Sequence, residues 1–301
     1  MADRPPEAVI VDRGYRHFEG TRRGRRGALG AVVRDGFRRV LGLRRKGRRK
    51  ILPWALITMM LISVAVLSAL HYAANQVGVT DLVADELPHH REYFEFIARV
   101  ALLFIAFATP ELLVPDREQG VLAVYLSRPL RTIDYLAAKG MSLGILMMAF
   151  LLIPQTIFHL LLGVFSPDGF TTYMVDNLDV LWQVPATALV YFLGFSSVAL
   201  IFATLIPRVG FAAGIFLGVM IMFNGLAEFF VDVADFAGSQ YGALLAFEAH
   251  PHLVRDWIFG ASTSDYAVSR AGFEPWVALL VIVAVAVLAV TLAWNRYRKL
   301  S

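Results

Sequence analysis

Polar side chains inside the long apolar runs are the residues of this chain whose types and spacing could do chemistry. In hydrocarbon such groups usually bind an ion or a substrate or relay a proton, because an unpaired charge there is costly. Asn224 and Glu228 lie four residues apart and share one helical face, so we expect a polar stripe facing a cavity between two copies of the chain. The other candidates are Arg99, Glu111 and His159. An ion pair or a location near the interface is the alternative for the charged ones, and for His159 we expect a hydrogen bond rather than a proton relay.

No set of residues typical of a catalytic, nucleotide or metal site is evident in the sequence. The apolar runs contain no Ser/His/Asp set and no paired acids. The run GLRRKGRR at 42–49 has the glycine spacing of a P-loop but lacks its Lys-Ser/Thr pair and a preceding strand, which indicates a chance match. Cysteine is absent, and the histidines at 89, 90, 250 and 252 lack a carboxylate at a defined spacing. We therefore expect no catalytic residue, bound metal or cofactor on this chain.

Composition predicts the elements that must position these residues. Hydrophobic residues make up 57% of the 301 residues, charged residues 17%, and the mean hydropathy is +0.61, whereas a soluble domain carries roughly 25% charged residues. A bilayer core requires about 20 apolar residues per helix. Continuous rather than alternating runs indicate helices, not barrel strands. The sequence thus predicts an all-α membrane protein with six transmembrane helices, at 51–74, 96–114, 140–165, 180–206, 209–231 and 275–294.

The distribution of Lys and Arg predicts the orientation of the spans. The segment before Ile51 holds 16 basic and 5 acidic residues, and the two alternating sets of loops hold 24 and 3 basic residues. Basic loops stay in the cytoplasm, so we expect both termini there, in a bacterial plasma membrane. The first apolar run is too long and too far from Met1 for a cleaved signal peptide, which indicates a retained span. The net charge of +4 then belongs to cytoplasmic loops and does not indicate nucleic-acid binding.

The segment 28–50 has the pattern of an amphipathic helix followed by a basic anchor. Apolar residues recur on one helical face, and arginines flank it or lie opposite, which suits a helix lying in the cytoplasmic interface near anionic headgroups. A basic segment that only fixes the topology is the alternative. Residues 1–27, rich in Gly, Pro and Arg, are predicted to be a mobile cytoplasmic tail. The predicted interfacial set comprises Leu29, Val33, Phe37, Arg38 and Arg39.

The segment 115–139 is a polar and amphipathic insert between the second and third apolar runs. Pro115 is predicted to end the second span. Asp116 is then predicted to cap a new short helix, with Gln119 completing a capping box. The alternative is an ordinary loop that happens to be helical.

A proline turn is predicted to divide this insert. The residue before a proline avoids the α region, so Ser127-Arg128-Pro129 is expected to break the short helix. Thr132 can cap the next helix, which carries Asp134 in its first turn and continues into the third span. The insert is therefore expected to be a helix, a tight turn and a second helix on the cytoplasmic face.

The insert resembles a run found in the permease subunits of ABC-2 type ABC transporters. Those subunits carry a similar D-R-E-x-G-x-L, then L-S-x-P, then Y and K, between spans 2 and 3. The layout of about 30–300 also agrees, with an interfacial helix, six spans and a long outer loop after span 5. The matching positions are Asp116-Arg117-Glu118-x-Gly120-x-Leu122, Leu126-Ser127-Arg128-Pro129, Tyr135 and Lys139.

The resemblance implies half of a transporter. Such permeases pair as dimers, and two separate cytoplasmic ATPase chains, which bind ATP and Mg, dock on the pair. The interfacial helix and the insert contact the ATPase and relay its motion, a task that suits a rigid element with discrete positions. Gly120 is expected to leave room for the close approach of another backbone. Carried onto this chain, the ATPase-coupling residues are Asp116, Arg117, Glu118, Gly120, Ser127, Arg128 and Pro129.

The predicted outer loop 232–274 contains two amphipathic runs that are too short to span a bilayer. They cover 241–247 and 253–259, and His250-Pro251-His252 separates them. In the resembled family this place holds short re-entrant helices at the outer mouth, and we expect them here.

A glycine pattern in the fifth span predicts close helix packing. Gly210, Gly214 and Gly218 form a repeated small-xxx-small pattern, which lets two backbones approach closely. The partner can be a neighbouring helix of the same bundle or a second copy of the chain, and the sequence leaves both open.

These features predict the permease subunit of an ATP-driven transporter, with export of an amphipathic or lipid-like substrate expected by family analogy. A secondary, ion-coupled transporter is the first alternative, but it should carry midspan carboxylates and broken helices in two repeats. The central thirds of the spans contain almost no carboxylate. The second alternative is a non-transporting anchor that recruits a soluble partner through its basic N-terminal region.

Overall fold

The fold is all-helical over the part of the chain that the structure describes. The structure is a computed structural model, and it describes residues 24–43, 47–79, 87–121, 125, 130–261 and 265–299. Six of its helices are long and apolar enough to cross a membrane, which confirms the predicted number of spans. These helices are typical of a multi-pass membrane protein.

The helices are numbered in chain order. α1 is Gly24–Val40, and the six long helices are α2 (Arg48–Val77), α3 (His90–Glu118), α4 (Thr132–Phe165), α6 (Val180–Leu205), α7 (Val209–Asp232) and α10 (Pro275–Arg298). The shorter elements are α5 (Phe170–Asp176), a 3-10 helix (Ser239–Leu245), α8 (Ala249–Ile258) and α9 (Ala267–Arg270). No short helix was predicted at the position of α5.

α3 is the central helix of the bundle. It contacts α1, α2, α4, α6, α7 and α8. In its most apolar stretch of 18 residues, 78% is buried, whereas the corresponding share is 17% for α7 and 22% for α10. Its side chains form one core with those of α4 and α6, in which the rings of Phe104 and Phe150 stack with centroids 4.4 Å apart. α2, α7 and α10 leave most of their surface uncovered within the described part of this chain.

The second span is longer than predicted at both ends, and Pro115 does not end it. α3 begins six residues before the predicted start at 96 and continues through Pro110 and Pro115 to Glu118. A proline removes one backbone hydrogen bond and crowds the preceding turn. The ion pairs of Asp116, described below, hold the last turn helical despite that loss. Asp116 therefore lies within α3, and the prediction that it caps a new helix is wrong.

α3 ends in a glycine-terminated turn. Gln119 is its C-cap, and Gly120 has a φ of +66°, a left-handed conformation that suits glycine. This geometry directs the Gly120 N–H to the Arg117 carbonyl and the Val121 N–H to the Asp116 carbonyl, which is the Schellman pattern. Asp116 and Gln119, predicted to form a capping box at the start of a helix, thus lie at the end of α3.

Other boundaries shift by a few residues. α1 begins at Gly24, so the last four residues of the predicted tail are helical, and residues 1–23 lie outside the described residues. α2 begins at Arg48, within the predicted basic anchor. Asp134 lies in the first turn of α4, as predicted, and its carboxylate accepts the Arg131 N–H at 2.9 Å. The N-cap is therefore Arg131 rather than Thr132.

The segment between α7 and α10 folds into the 3-10 helix, α8 and α9. The predicted break at His250-Pro251-His252 is wrong, because these residues belong to the first turns of α8. A proline is tolerated there, since the first N–H groups of a helix have no intrahelical acceptor. α8 is seated closely on α6, where a Cβ atom added to Gly194 would lie 2.6 Å from Pro251 Cγ.

Candidate functional site

The insert and α1 meet at one end of the bundle, called here the basic end. At this end α3, α6 and α10 finish and α4 begins, while α1 lies against α3 and α4. The opposite end, called the hairpin end, carries α5, the 3-10 helix, α8 and α9. The predicted site residues divide between these two ends.

Four residues form a buried charge cluster at the basic end, the Asp116 cluster. Asp116 is fully buried, and its Oδ2 lies 2.7 Å from Lys139 Nζ, while its Oδ1 lies 2.6 Å from Arg39 Nη1. The Tyr135 hydroxyl donates to Oδ2 at 2.8 Å. Because the four side chains come from α1, α3 and α4, the cluster joins three separate elements through one carboxylate.

The charges of the Asp116 cluster are balanced by one further acid. Asp35 Oδ2 lies 3.1 Å from Arg39 Nη2, so two carboxylates face the two cations Arg39 and Lys139. Burial disfavours the charge on Arg39, but the attraction of Asp116 and Asp35 is greater, and the pKa of Arg39 is raised. Arg39 thus remains a cation at neutral pH and keeps Asp116 compensated. A single unpaired charge in this position would be strongly unfavourable.

Arg117 binds the end of a different helix. Its guanidinium donates hydrogen bonds to the backbone carbonyls of Ala203, at 3.2 Å, and of Thr204 and Ile206. The last carbonyls of a helix have no intrahelical donor, so a guanidinium is a suitable partner for the end of α6. Arg117 therefore joins the last turns of α3 and α6.

α10 is attached to the same region by one tyrosine. The Tyr297 hydroxyl donates to the Leu113 carbonyl of α3 at 3.2 Å. Its ring stacks on that of Tyr135, with centroids 5.8 Å apart. The basic ends of α3, α4, α6 and α10 are therefore connected to the Asp116 cluster or to its neighbours.

The predicted coupling residues have different environments. Asp116 is buried and Arg117 is half-buried against α6, and both side chains connect helices of the bundle. Glu118 and Gly120 are exposed immediately beyond them. Gly120 owes its conformation to the turn, and a Cβ atom there would meet nothing within 4 Å in this chain. Ser127, Arg128 and Pro129 lie outside the described residues.

α1 packs on the bundle through a face that differs from the predicted one. Leu29, Val33, Phe37 and Arg38 are half-buried, whereas the fully buried positions are Val32, Gly36 and Val40. A Cβ atom on Gly36 would lie 2.5 Å from Ser142 Oγ, so α1 and α4 are in close contact there. Arg39, predicted to lie near lipid headgroups, instead points into the Asp116 cluster. The ion pair of Arg25 with Asp134 adds a second contact between α1 and α4.

From the sequence, Tyr135 and Lys139 of the Asp116 cluster stood out only through the family resemblance, and no partner was predicted for either. Lys139 lies a full two turns inside α4, next to a long apolar run. An ammonium in that position requires an anion nearby, and the acids that precede it within the insert are Asp116, Glu118 and Asp134. This requirement was a signal in the sequence that Lys139 has an acidic partner, and the structure shows that the partner is Asp116.

A second charged network lies at the hairpin end. Arg255 of α8 is fully buried, and its Nη2 lies 2.6 Å from Asp256 Oδ1 and 3.2 Å from the Tyr266 hydroxyl. Arg91 Nε, on the first turn of α3, lies 3.2 Å from the same Asp256 oxygen. Burial raises the pKa of Asp256, although Arg255 and Arg91 oppose that change. The network fastens α8 to the hairpin end of α3.

His252 is enclosed by this network. Its Nδ1 lies 2.8 Å from the Tyr191 hydroxyl of α6. Burial, together with the positive charges of Arg255 and Arg99, lowers the pKa of His252 to about 3. The imidazole is therefore neutral at physiological pH and serves as a hydrogen-bonding group.

The structure brings the predicted pathway residues together at a polar cavity. Asn224 and Glu228 line a cavity of about 110 Å³ between α3, α7 and α8. Glu95 and Arg99 of α3 and Glu248 line the same cavity. Burial raises the pKa of Glu248, although Arg99 opposes that change. Asn224 and Glu228 thus share one face of α7, and within this chain that face meets charged groups of α3 and of the segment before α8.

Glu228 also belongs to an exposed ion-pair group. Its carboxylate pairs with the guanidinium of Arg270, which lies 2.8 Å from Asp232 Oδ2. Arg270 is the last residue of α9, and Glu228 and Asp232 are on α7, so the group joins the end of α7 to α9.

The expected hydrogen bond of His159 is present. His159 Nδ1 lies 3.1 Å from His90 Nε2, and His90 Nδ1 lies 3.0 Å from the Gln155 side-chain oxygen. Gln155 in turn donates from Nε2 to the His90 carbonyl at 3.1 Å. These bonds join α3 to α4 near the hairpin end. Within the described residues, no group of three or more His, Cys, Asp or Glu could hold a metal ion.

The glycine pattern of α7 has no partner within the described part of the chain. A Cβ atom added to Gly210, Gly214 or Gly218 would meet nothing within 4 Å. A neighbouring helix of the same bundle is thereby excluded as the partner over the residues described.

Comparison with known proteins does not assign a family. No family model matches the chain, and no curated protein matches it.

We expect removal of the central carboxylate to destabilise the bundle. Asp116→Asn leaves Arg39 and Lys139 buried without it, which should lower the free energy of unfolding by about 3–5 kcal/mol. Adding Lys139→Met should recover part of this loss, with a coupling of roughly 0.5–3 kcal/mol between the two positions. Unfolding of the purified protein in detergent, followed by tryptophan fluorescence, measures both values. Asp176→Asn, on exposed α5, is the control and should stay within about 0.5 kcal/mol of wild type. Strictly additive losses would show that the two residues are not coupled.

We also expect stability to fall as the pH falls. The pKa of His252 is about 3 in the folded protein, against an ordinary value of 6.5 in the unfolded chain. As the pH falls, His252 therefore binds a proton in the unfolded chain before it does so in the folded protein. Its contribution to stability is therefore present above about pH 6.5 and is lost toward pH 3, by up to about 1.4 kcal/mol per pH unit. The melting temperature should fall between about pH 7.5 and about pH 5.5 in wild type and should fall less in His252→Gln. The same pH dependence in both proteins would contradict this assignment.

Proposed function

We propose that this protein is the permease subunit of an ATP-driven transporter of the ABC-2 type, working with a separate cytoplasmic ATPase. The observation that carries the proposal is the Asp116 cluster, which joins α1, the end of α3 and the start of α4 into one unit. The residues that carry the family resemblance, Asp116, Tyr135 and Lys139, are the ones that meet in it. A soluble motor requires a rigid element of this kind to push against.

The positive-inside rule supports a cytoplasmic location for the basic end. The loops at this end hold 24 Lys and Arg residues, against 3 at the hairpin end. In a bacterial plasma membrane both termini are then cytoplasmic. The exposed Glu118 and Gly120, beside the Asp116 cluster, would be accessible to an ATPase from that side. α1 would lie at the membrane interface and share the contact.

α3 provides a route for motion from one end of the bundle to the other. Its last turn holds the Asp116 cluster, and its first turn holds Arg91, which is paired with Asp256 of α8. A displacement at the basic end would therefore reach α8, which we propose is a re-entrant helix at the outer mouth. Mutational coupling is the evidence that such a route requires.

A second copy of the chain would complete the transporter. α7 is the least buried of the six long helices, and its glycine pattern is open. A small-xxx-small face of this kind allows two helices to approach closely. The polar cavity that contains Asn224 and Glu228 borders the same helix and would face the space between the two copies. We propose export of an amphipathic or lipid-like compound through that space.

An ion-coupled transporter is the second candidate, because Asp116 is a buried carboxylate inside a long apolar helix. Such carboxylates often bind coupling ions. Here Lys139, Arg39 and Tyr135 already engage both oxygens, which favours a structural role. The energy source separates the two candidates, since the first requires ATP hydrolysis by a partner chain and the second requires only an ion gradient.

We expect charge reversal at Glu118 to weaken ATPase binding. Glu118→Arg changes an exposed residue next to the Asp116 cluster, so the fold should be kept while association falls at least about tenfold. The tagged chain is purified from its own cells in mild detergent, and the bound ATPase is measured by mass spectrometry and by ATP hydrolysis. Asp176→Arg, the same reversal at the hairpin end, should bind normally. The proposal fails if wild type transports with an ion gradient alone and carries no ATPase.

We expect a cysteine in the glycine pattern to cross-link two copies. The chain contains no natural cysteine, so Gly214→Cys introduces a single thiol at a position with open space. Mild oxidation in native membranes should convert most of it to a disulfide dimer, because two α7 helices packed through this pattern about a two-fold axis near Gly214 would place the two thiols together. Gly140→Cys on α4, equally open, should stay monomeric. Monomeric Gly214→Cys would show that α7 is not the interface at this point.

A further inference from the structure

A large apolar cavity lies between α4 and α10, and Lys139 of the Asp116 cluster contributes to its wall. It has a volume of about 420 Å³, and α3 and α6 form its floor. This cavity, called here the α4–α10 groove, falls within the range of roughly 300–1,000 Å³ that is typical of small-molecule sites. Its lining is mostly aliphatic and aromatic and includes Leu143, Phe192 and Ala286.

The groove lies in the half of the bundle next to the basic end. Its α4 residues come from the first three turns of that helix, and its α10 residues come from the last three turns. Ile133 and Val290 on its rim are exposed side chains of membrane-spanning helices. An apolar cavity of this kind is not a favourable place for water. At this depth of a bilayer, the surrounding medium offers hydrocarbon chains to fill it.

The end of the groove nearest the basic end has the features of a headgroup site. Trp294 lines it there, and tryptophan is enriched at the level of lipid headgroups. Arg131 is the N-cap of α4 and Arg296 lies in the last turn of α10, so both exposed arginines are at this end of the bundle without lining the groove. Arginines at this level attract anionic lipids. An apolar channel that opens at the level of two exposed cations is complementary to an acidic amphiphile.

We propose that the α4–α10 groove binds one acyl chain of an anionic phospholipid from the leaflet at the basic end. The chain lies along α4 and α10, and the phosphate lies beside Arg131 and Arg296. Binding there requires neither an ATPase nor a second copy of the protein. It would fill the space beside the direct contact between α4 and α10, and so would hold α10 against the bundle.

Three hydroxyl groups line the groove, and two of them are already satisfied. Ser196 and Ser197 donate to the carbonyls of Phe192 and Leu193 in their own helix. The Thr109 hydroxyl is buried and has no partner among the described residues. A hydrocarbon chain does not hydrogen-bond to Thr109, whereas a ligand with a polar group at that depth would. Thr109→Val therefore separates the two kinds of occupant.

The first experiment fills the groove. Gly140 lines it, and a Cβ atom there would meet nothing within 4 Å, so Gly140→Leu directs a side chain from an open position into the space of the lipid chain. Delipidated protein is titrated with dioleoyl phosphatidylglycerol, and bound lipid is counted by native mass spectrometry. Wild type should bind one tight lipid per chain, and Gly140→Leu should bind it at least about tenfold more weakly, the factor expected for two lost methylene contacts. Gly225→Leu on α7, equally open, is the matched control and should bind like wild type.

The second experiment tests the headgroup and the chain separately. Arg131→Gln and Arg296→Gln should each reduce the preference for phosphatidylglycerol over phosphatidylcholine by about fivefold. Thr109→Val should bind phosphatidylglycerol as well as wild type or better.

Three results would overturn the inference. Normal binding by Gly140→Leu would place the lipid elsewhere, and weaker binding by Thr109→Val would indicate a polar ligand. A disulfide dimer of Gly140→Cys would show that the groove is a contact between copies. Each variant is first checked for the melting temperature and elution volume of wild type, and Ala286→Leu, on the α10 wall, replaces Gly140→Leu if that variant does not fold.

Discussion

The carboxylate of Asp116 is the group on which the arrangement of the basic end depends. A fully buried anion in an apolar bundle is tolerated only when cations reach it, and Lys139 and Arg39 do so at 2.7 Å and 2.6 Å. Each cation is equally dependent on the anion. Because the three residues belong to α1, α3 and α4, none of these elements can move away alone. The same constraint accounts for the helical last turn after Pro115 and for the close approach of α1 at Gly36.

Both ends of α3 are held by buried charges, and its middle is held by packing. In lipid, apolar contact alone distinguishes poorly between one helix neighbour and another, because the hydrocarbon chains are as apolar as the side chains. Specific pairs such as Asp116 with Lys139, and Arg91 with Asp256, select the correct neighbours. A central helix that is fixed at both ends and buried along its length is the kind of rigid element that the proposed transporter would use.

The surfaces that this chain leaves uncovered have different chemistry. α7 presents glycines without side chains, a surface on which another helix can lie closely. The α4–α10 groove is instead recessed and apolar, with exposed arginines at the same end of the bundle, which suits a flexible chain with a charged end. A single bundle can therefore offer one face to a second copy of the protein and another to the bilayer, because the two occupants differ in rigidity and charge.

The sequence by itself determined the class of protein, the number of long helices and the place of Asp134 in the first turn of α4, because continuous apolar runs and local capping act over a few residues. It did not determine where α3 ends, since Asp116 to Gly120 carry residues that can begin a helix or finish one. The ion pairs of Asp116 with Arg39, 77 residues away in the chain, and with Lys139 on the next helix stabilise the helical conformation there. The inward direction of Arg39 and the helical His250-Pro251-His252 have the same origin, because burial against distant helices outweighed a local amphipathic pattern and a local proline signal. Only the tertiary structure can decide such points, since the free energy of a buried charge or a seated helix depends on partners that a local pattern does not contain.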